Sequence, residues 1–236
     1  MPATIVQEID PKINYPRLNE LSTELTQFLT RLEALYIDAV AGFELVRSRV
    51  VSDQETVRNL LEGTECDSEE FQNGRLFSYD LIFKGDFCGS DLHRVSQGEV
   101  KTRNQPGGSN YIMLGRLCIV ALSDYWNDYL RRQYVIAKGQ LDPTESNDEI
   151  VKERLKEHGS FDLWGDLSKI LNAIVHNAGV GNSKLKSCRL IRWFKESDAI
   201  DITPAVFQAI LFAVYRFRNQ LHNEQFPKSH IRISRT

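Results

Sequence analysis

The sequence predicts an all-α protein, an antiparallel helical bundle with an irregular insertion. Long segments repeat apolar residues at alternating steps of three and four, which is the spacing of one face of a helix. Residues that favour helix starts and helix ends flank these segments. Hydrophobic residues make up 42% of the 236 residues and charged residues 26%, as in an ordinary globular protein. We therefore expect one folded domain over 1–236.

The N-terminal part is predicted to be an extended arm over 1–16 followed by a long amphipathic helix over 18–50. The helix is predicted from a stripe of apolar residues: Leu21, Leu25, Phe28, Leu32, Leu35 and Ala39. Ser52 and Asp53 are typical N-cap residues, so a second, shorter helix is expected to begin there and to end near Gly63.

An irregular insertion is predicted over 63–110, because glycine is frequent there and the apolar runs are short. One or two short helices or strands are compatible with it. The core of the domain is expected over 111–225, beginning with a long helix over 111–138. One face of that helix is predicted to carry Leu114, Leu117, Cys118, Ala121, Tyr125 and Tyr129.

Two further helices are expected after this one. Asp142 is predicted to begin a strongly charged helix that Gly159 ends. Ser160 or Asp162 is predicted to begin the next helix, which ends at 177–179. Its apolar positions are Leu163, Leu167, Ile170 and Ile174.

The last helix is predicted to begin with Thr203 as N-cap and Pro204 as its first residue. Proline suits that position because the N–H that it lacks would have no helical partner there. The apolar face predicted for this helix comprises Phe207, Ile210, Leu211, Val214, Phe217 and Leu221.

Composition limits the function classes. The formal net charge is −3 and the pI is near 6.0, so any contact with RNA must come from a local basic patch. The N-terminus has acidic residues and no long apolar run, and no apolar stretch approaches the roughly 20 residues of a membrane span. We expect a cytoplasmic protein with no membrane association, no metal and no cofactor. The four cysteines, none of them at zinc-ligand spacing, are Cys66, Cys88, Cys118 and Cys188.

The segment LNAIVHNAG at 171–179 contains Asn172, His176, Asn177 and Gly179. It resembles the signature of the HEPN superfamily, in which an arginine is followed after four to six residues by a histidine, commonly as RNxxxH. The resemblance covers roughly 114–221 in architecture and about ten residues in motif. It implies a helical domain that forms a homodimer and acts on RNA, often as a metal-independent ribonuclease.

The match is incomplete, because Leu171 stands where that family has its arginine. Lys169 lies seven residues before His176, about two helical turns, and thus on nearly the same face. A lysine supplies charge but lacks the planar fork with which an arginine binds phosphate. The candidate catalytic residues are His176 as proton donor and acceptor, Asn172, and Lys169 as the substitute cation.

Four residues are candidates for binding RNA: Asn177, Arg216, Arg218 and His222. Arg216 and His222 have the family spacing of arginine and histidine, but they lie at the end of the last helix. There they can equally be solvated helix-end charges, or they can lend positive charge to His176.

Three interpretations remain open from the sequence. The first is a HEPN-like module that binds RNA or a protein partner, as in microbial defence or toxin–antitoxin systems, and has a degenerate ribonuclease site. The second is an active metal-independent ribonuclease that uses His176. The third is a structural helical protein that acts through interactions alone.

Overall fold

The computed structural model describes residues 11–60, 68–74, 76–78, 94–145, 147–156 and 162–223. The fold is all-α, as the sequence predicts. The first helices are α1 (Tyr15–Leu60), α2 (Glu69–Gly74), α3 (Gln97–Arg103) and α4 (Ser109–Asp124). A π-helical segment (Tyr125–Leu130) continues α4 into α5 (Arg131–Ala137), and α6 (Asp148–Lys156), α7 (Asp162–His176) and α8 (Pro204–Asn223) follow. No helix in these ranges has the length and apolarity required to span a bilayer.

Two compact units divide the chain. The first comprises Met1–Leu32, Cys118–Ile200 and Gln208–Thr236, and the second comprises Glu33–Leu117 and Asp201–Phe207. Each unit has buried apolar side chains of its own.

Helix α1 begins within the predicted arm and has no break at Ser52. The side chain of Asn14 caps its start, accepting the N–H of Arg17 at 3.0 Å. The predicted second N-cap is wrong. The Asp53 carboxylate accepts a hydrogen bond at 3.1 Å from Nε of Arg49, which lies one turn earlier in the helix. The Ser52 carbonyl accepts a hydrogen bond from the Thr56 hydroxyl at 3.0 Å. Both residues therefore bond along a continuous helix.

The apolar stripe of α1 is confirmed as far as Leu32 and then differs from the prediction by one residue. Leu21, Leu25 and Leu32 are buried, whereas Leu35 is 60% exposed and Tyr36 is buried instead. The next buried residue of the stripe therefore lies four residues after Leu32, and not three as predicted. Tyr36 packs against Phe207 within the second unit, with ring centroids 4.3 Å apart.

The predicted helix over 111–138 corresponds to the continuous segment from α4 to α5. Of the two neighbouring residues predicted on its buried face, Cys118 is buried and Leu117 is 58% exposed. The N–H of Arg131 bonds to the carbonyl of Trp126, five residues back, which is the bond of a π-helix. In this wider turn Trp126 and Leu130 are the buried residues.

The core of the first unit is built around a cluster of aromatic rings. Trp126 and Trp164 stack at 4.3 Å with an interplanar angle of 2°, and Phe217 meets both edge-on. Phe28 stacks on Tyr125 at 4.1 Å. The π segment, α7, α8 and the N-terminal part of α1 thus meet in one core.

The range of the second unit includes the whole of the predicted irregular insertion, 63–110. Its described part includes α2, α3 and a two-stranded antiparallel sheet of β1 (Leu76–Ser78) and β2 (Arg94–Ser96). Residues 61–67, 75 and 79–93 of that segment lie outside the described residues.

The charged helix α6 begins later than predicted. Asp142 instead forms a turn, in which its carboxylate accepts the N–H of Thr144 at 2.8 Å. The N-cap is Asn147, whose side chain accepts the N–H of Glu149 at 2.9 Å. Gly159 and Ser160, predicted to end this helix and to begin the next, lie outside the described residues.

The last two helices begin where the sequence predicts, and α7 ends one residue before the predicted end at 177–179. Helix α7 begins at Asp162 and ends at His176, and α8 begins at Pro204 with the Thr203 hydroxyl accepting the N–H of Val206 at 3.4 Å. All six residues predicted for the apolar face of α8 are buried.

Candidate nucleic-acid interface

A closed loop joins α7 to α8. Ala178 and Gly179 have positive φ values of 52° and 76°, and the Gly179 N–H bonds back to the Ala173 carbonyl at 3.0 Å, which ends α7. The chain then returns alongside its own start. Gly181 N–H donates to the Asp198 carbonyl at 2.7 Å, and Ile200 N–H donates to the Gly179 carbonyl at 2.8 Å.

The base of this loop requires a glycine at 181. A Cβ on Gly181 would lie 2.0 Å from the Lys195 carbonyl oxygen, far inside van der Waals contact. The two ends of the loop therefore meet backbone to backbone, and the residues between them have a defined conformation.

A buried carboxylate fixes the middle of the loop on α7. Asp166 is 1% exposed and accepts the backbone N–H groups of Arg189, Leu190 and Ile191 at 2.7 to 3.0 Å. Burial alone would raise the pKa of Asp166. The three N–H groups and the Lys169 ammonium outweigh it, so the pKa of Asp166 is lowered from its ordinary value.

Lys169 and Asn172, two of the predicted catalytic residues, also contact this loop. Lys169 Nζ donates to Asp166 Oδ1 at 3.2 Å and to the Ser187 carbonyl at 2.8 Å. Asn172 Oδ1 accepts Asn182 Nδ2 at 3.2 Å and Lys184 Nζ at 3.4 Å. Both side chains are thus occupied in holding the loop against α7.

His176 and Asn177 lie at the end of α7, where both are exposed. Asn177 Nδ2 donates to the Val180 carbonyl at 2.6 Å and supports the turn. The His176 side chain has no hydrogen-bond partner among the described residues.

The candidates on α8 differ from one another. Arg216 is exposed, and Arg218 is half-buried with its Nε donating to Thr26 Oγ1 at 2.9 Å. The side chain of His222 lies outside the described residues. In the part of the chain that the structure describes, no hydrogen bond joins Arg216 or Arg218 to His176.

The sequence-based interpretation missed the most basic segment of the chain, the basic loop, defined here as 182–195. It has five cationic side chains and no carboxylate, although the chain as a whole has a net charge of −3. All five are exposed: Lys184, Lys186, Arg189, Arg192 and Lys195. The signal that could have identified it is this run of cations, which is visible in the sequence.

The basic loop also exposes apolar groups and borders an open cleft. Leu190 is 60% exposed and Trp193 is 48% exposed. The cleft has a volume of about 700 Å³. Its lining combines apolar and charged side chains: Leu185, Lys186, Cys188, Arg192, Phe194, Lys195 and Glu196.

Not every cation of the loop is equally available to a ligand. Lys186 pairs with Glu196 at 2.5 Å and Arg189 with Asp162 at 3.0 Å. Arg192 bonds the Arg189 carbonyl through Nε at 3.0 Å, which leaves its terminal nitrogens to the cleft. Within the described ranges, the Lys195 ammonium has no acidic partner.

Comparison with known proteins found no matching family model, no similar curated protein and no similar solved structure. The resemblance of 171–179 to the HEPN signature therefore stays a prediction from the motif.

Proposed function

We propose that this protein binds RNA through the basic loop, and that Asp166, Lys169 and Asn172 act by holding that loop on α7. The observation that carries the proposal is the concentration of five exposed cations, with no carboxylate among them, beside an exposed tryptophan. Cations interleaved with aromatic rings neutralise phosphates and stack on bases.

The shape of the loop supports a polyanion as ligand. A cleft of about 700 Å³ is large enough to enclose a nucleotide-sized group. Arg192 and Lys195 line the cleft, and their charges are available to a ligand. The charge of Lys186 is partly neutralised by Glu196. The Asp166 anchor keeps the backbone in place before binding, which lowers the entropic cost of association.

The proposal includes the HEPN-like interpretation, in which the protein has a degenerate ribonuclease site. A cation for the phosphate is missing at Leu171, and Lys169 is committed to Asp166 and Ser187. We propose that the protein is an RNA-binding module with weak or no ribonuclease activity, and that it is a homodimer, as the resemblance implies.

The experiment compares the affinity of the full chain and of two triple variants for a fluorescently labelled RNA by anisotropy. One variant changes Lys184, Arg192 and Lys195 to glutamine. The control, with the same change of net charge, replaces three exposed cations elsewhere with glutamine: Arg31, Lys152 and Arg154.

The loop variant should bind weakly. The slope of its log affinity against log salt concentration should become shallower by about 2. Each phosphate of a single strand that a cation neutralises contributes roughly 0.7 to that slope, and the variant removes three cations. The control variant should retain most of the affinity of the natural chain. Equal reductions of affinity in both variants would attribute the effect to overall charge and defeat the proposal.

A further inference from the structure

We infer that the basic loop selects single-stranded RNA and that Trp193 is the surface on which a base stacks. This inference rests on the proposed RNA binding and names the form of RNA that the site accepts. The three tryptophans of the chain differ in exposure. Trp126 and Trp164 are 4% and 2% exposed and stack on each other in the core, whereas Trp193 is 48% exposed.

The exposed ring is held by a fixed backbone. Ile191, two residues earlier, is buried, and its N–H bonds to Asp166 at 2.9 Å. Lys195, two residues later, donates its N–H to Asp198 Oδ2 at 3.1 Å, and its carbonyl lies against Gly181. Trp193 thus extends from a segment anchored on both sides, and little conformational entropy is lost when a ligand stacks on it.

Two cations lie close to Trp193 in the sequence, Arg192 directly before it and Lys195 two residues after it, although Trp193 is not among the residues that line the cleft. Arg192 and Lys195 are three residues apart, so their Cα atoms lie within about 10 Å even in an extended chain. Both line the cleft together with Phe194. A strand with one base on Trp193 can place adjacent phosphates beside these two side chains.

Stacking of this kind excludes a continuous duplex. In a double helix both faces of each base are covered by neighbouring bases, and proteins that bind duplex RNA contact mainly its phosphates and 2′-hydroxyls. In a single strand the base faces are open to an aromatic side chain. A site that depends on the Trp193 ring therefore prefers unpaired RNA.

An anionic membrane surface is the other ligand that binds exposed tryptophan and cations. RNA is favoured, because Arg192 and Lys195 line an open cleft that a nucleotide can enter and a flat bilayer cannot fill. The experiment includes this alternative as an outcome.

Binding of the full chain is measured to a 12-nucleotide RNA without self-complementarity, to the same RNA annealed to its complement, and to phosphatidylserine vesicles. Tryptophan fluorescence is recorded in each titration. Because Trp126 and Trp164 are buried, a change on binding reports mainly on Trp193. We expect quenching by the single strand and an affinity at least about tenfold above that for the duplex.

The variants are Trp193→Leu and Trp193→Phe. The control is Leu190→Ala, which removes an exposed apolar side chain that has no ring. Trp193→Leu should weaken single-strand binding by about 5- to 150-fold, the range for the loss of one base–aromatic stack. Its affinity for the duplex should change little. Trp193→Phe should keep most of the affinity, and Leu190→Ala should resemble the natural chain. An unchanged near-ultraviolet circular dichroism of the stacked core tryptophans shows that each variant is folded.

The outcomes separate this inference from the proposal on which it rests. Equal affinity for single strand and duplex, unaffected by Trp193→Leu, overturns the inference and leaves RNA binding by the basic loop intact. Absence of binding to either RNA overturns both. Fluorescence changes with vesicles and none with RNA would assign the loop to a membrane surface and overturn both as well.

Discussion

The carboxylate of Asp166, in the second turn of α7, accepts the backbone N–H of Leu190 at 2.7 Å. These residues are 24 positions apart, so one buried side chain determines where the basic loop lies. Two further N–H groups and the Lys169 ammonium also bond to this carboxylate. The charge is thus fully compensated inside the protein, as a buried carboxylate requires.

Replacing Asp166 with asparagine should destabilise the protein. The amide loses the ion pair with Lys169, and its single oxygen cannot satisfy three N–H groups, so we expect a loss of about 3 kcal/mol in the free energy of unfolding. That loss corresponds to a fall in melting temperature on the order of 6 to 12 °C. Differential scanning calorimetry measures it. The matched control is Asp162→Asn, which removes only the exposed pair with Arg189 and should cost less than about 1 kcal/mol. Similar losses in the two variants would contradict the anchoring role.

Asp166 should also contribute to the loss of stability in acid. Its pKa is lowered in the folded protein, so the folded state binds the proton less well than the unfolded state does. The contribution is therefore complete above the unfolded pKa near 4 and is lost as the pH falls through the folded pKa. Urea unfolding between pH 2 and pH 7 should show a free energy of unfolding that falls less steeply in acid for Asp166→Asn than for the natural chain. Parallel curves would show that the Asp166 pKa is the same in both states.

Much of the helical architecture is predictable from the sequence, because apolar spacing determines which face of each helix is buried. The face of α8 is confirmed in full. Predictions failed where two local patterns compete: Ser52 and Asp53 have the composition of an N-cap, but Asp53 pairs with Arg49 within the helix. The π turn in which Trp126 is buried has no comparable sequence signal.

The candidate site, like the fold, could be predicted only in part from the sequence. Two residues that the motif singles out on α7, Lys169 and Asn172, do make specific polar contacts. Their loop partners, Asn182 and Ser187, lie 10 and 18 residues further along the chain, at the two ends of a short 3-10 helical turn (Ser183–Ser187) that is too brief to show an apolar period. Spacing rules relate residues on one regular element, and so they did not predict that these side chains anchor a loop.

The proposed homodimer should be detectable in solution. Val175 on α7 and Phe212 on α8 are 52% and 65% exposed, and a symmetric dimer that buries them would remove their apolar surface from water. Light scattering at tens of micromolar should give twice the chain mass of 27.1 kDa. Phe212→Glu should shift the mass toward the monomer, and Leu45→Glu, at a position 72% exposed on α1, should not. A monomer mass for the natural chain counts against the proposed dimer.

The last prediction concerns catalysis, and it follows from the absence of a phosphate-binding arginine at Leu171 and the engagement of Lys169. Loss of one preorganised donor to a developing negative charge costs about 3 to 4 kcal/mol, or 100- to 1,000-fold in rate. We therefore expect little or no cleavage when the purified chain is incubated with a mixed RNA pool. The measurement is the appearance of 2′,3′-cyclic phosphate ends, which the attack of a 2′-hydroxyl produces.

If slow cleavage occurs, His176→Ala should abolish it without changing the melting temperature, because His176 is exposed and no described residue bonds to its side chain. Arg216→Ala should do the same if that exposed arginine supplies the missing charge. Lys169→Ala should instead lower the melting temperature, since it removes the ion pair with Asp166. Rapid cleavage that survives His176→Ala would reject both the degenerate site and its assignment to α7, whereas RNA retention without cleavage is the result expected of a binding module.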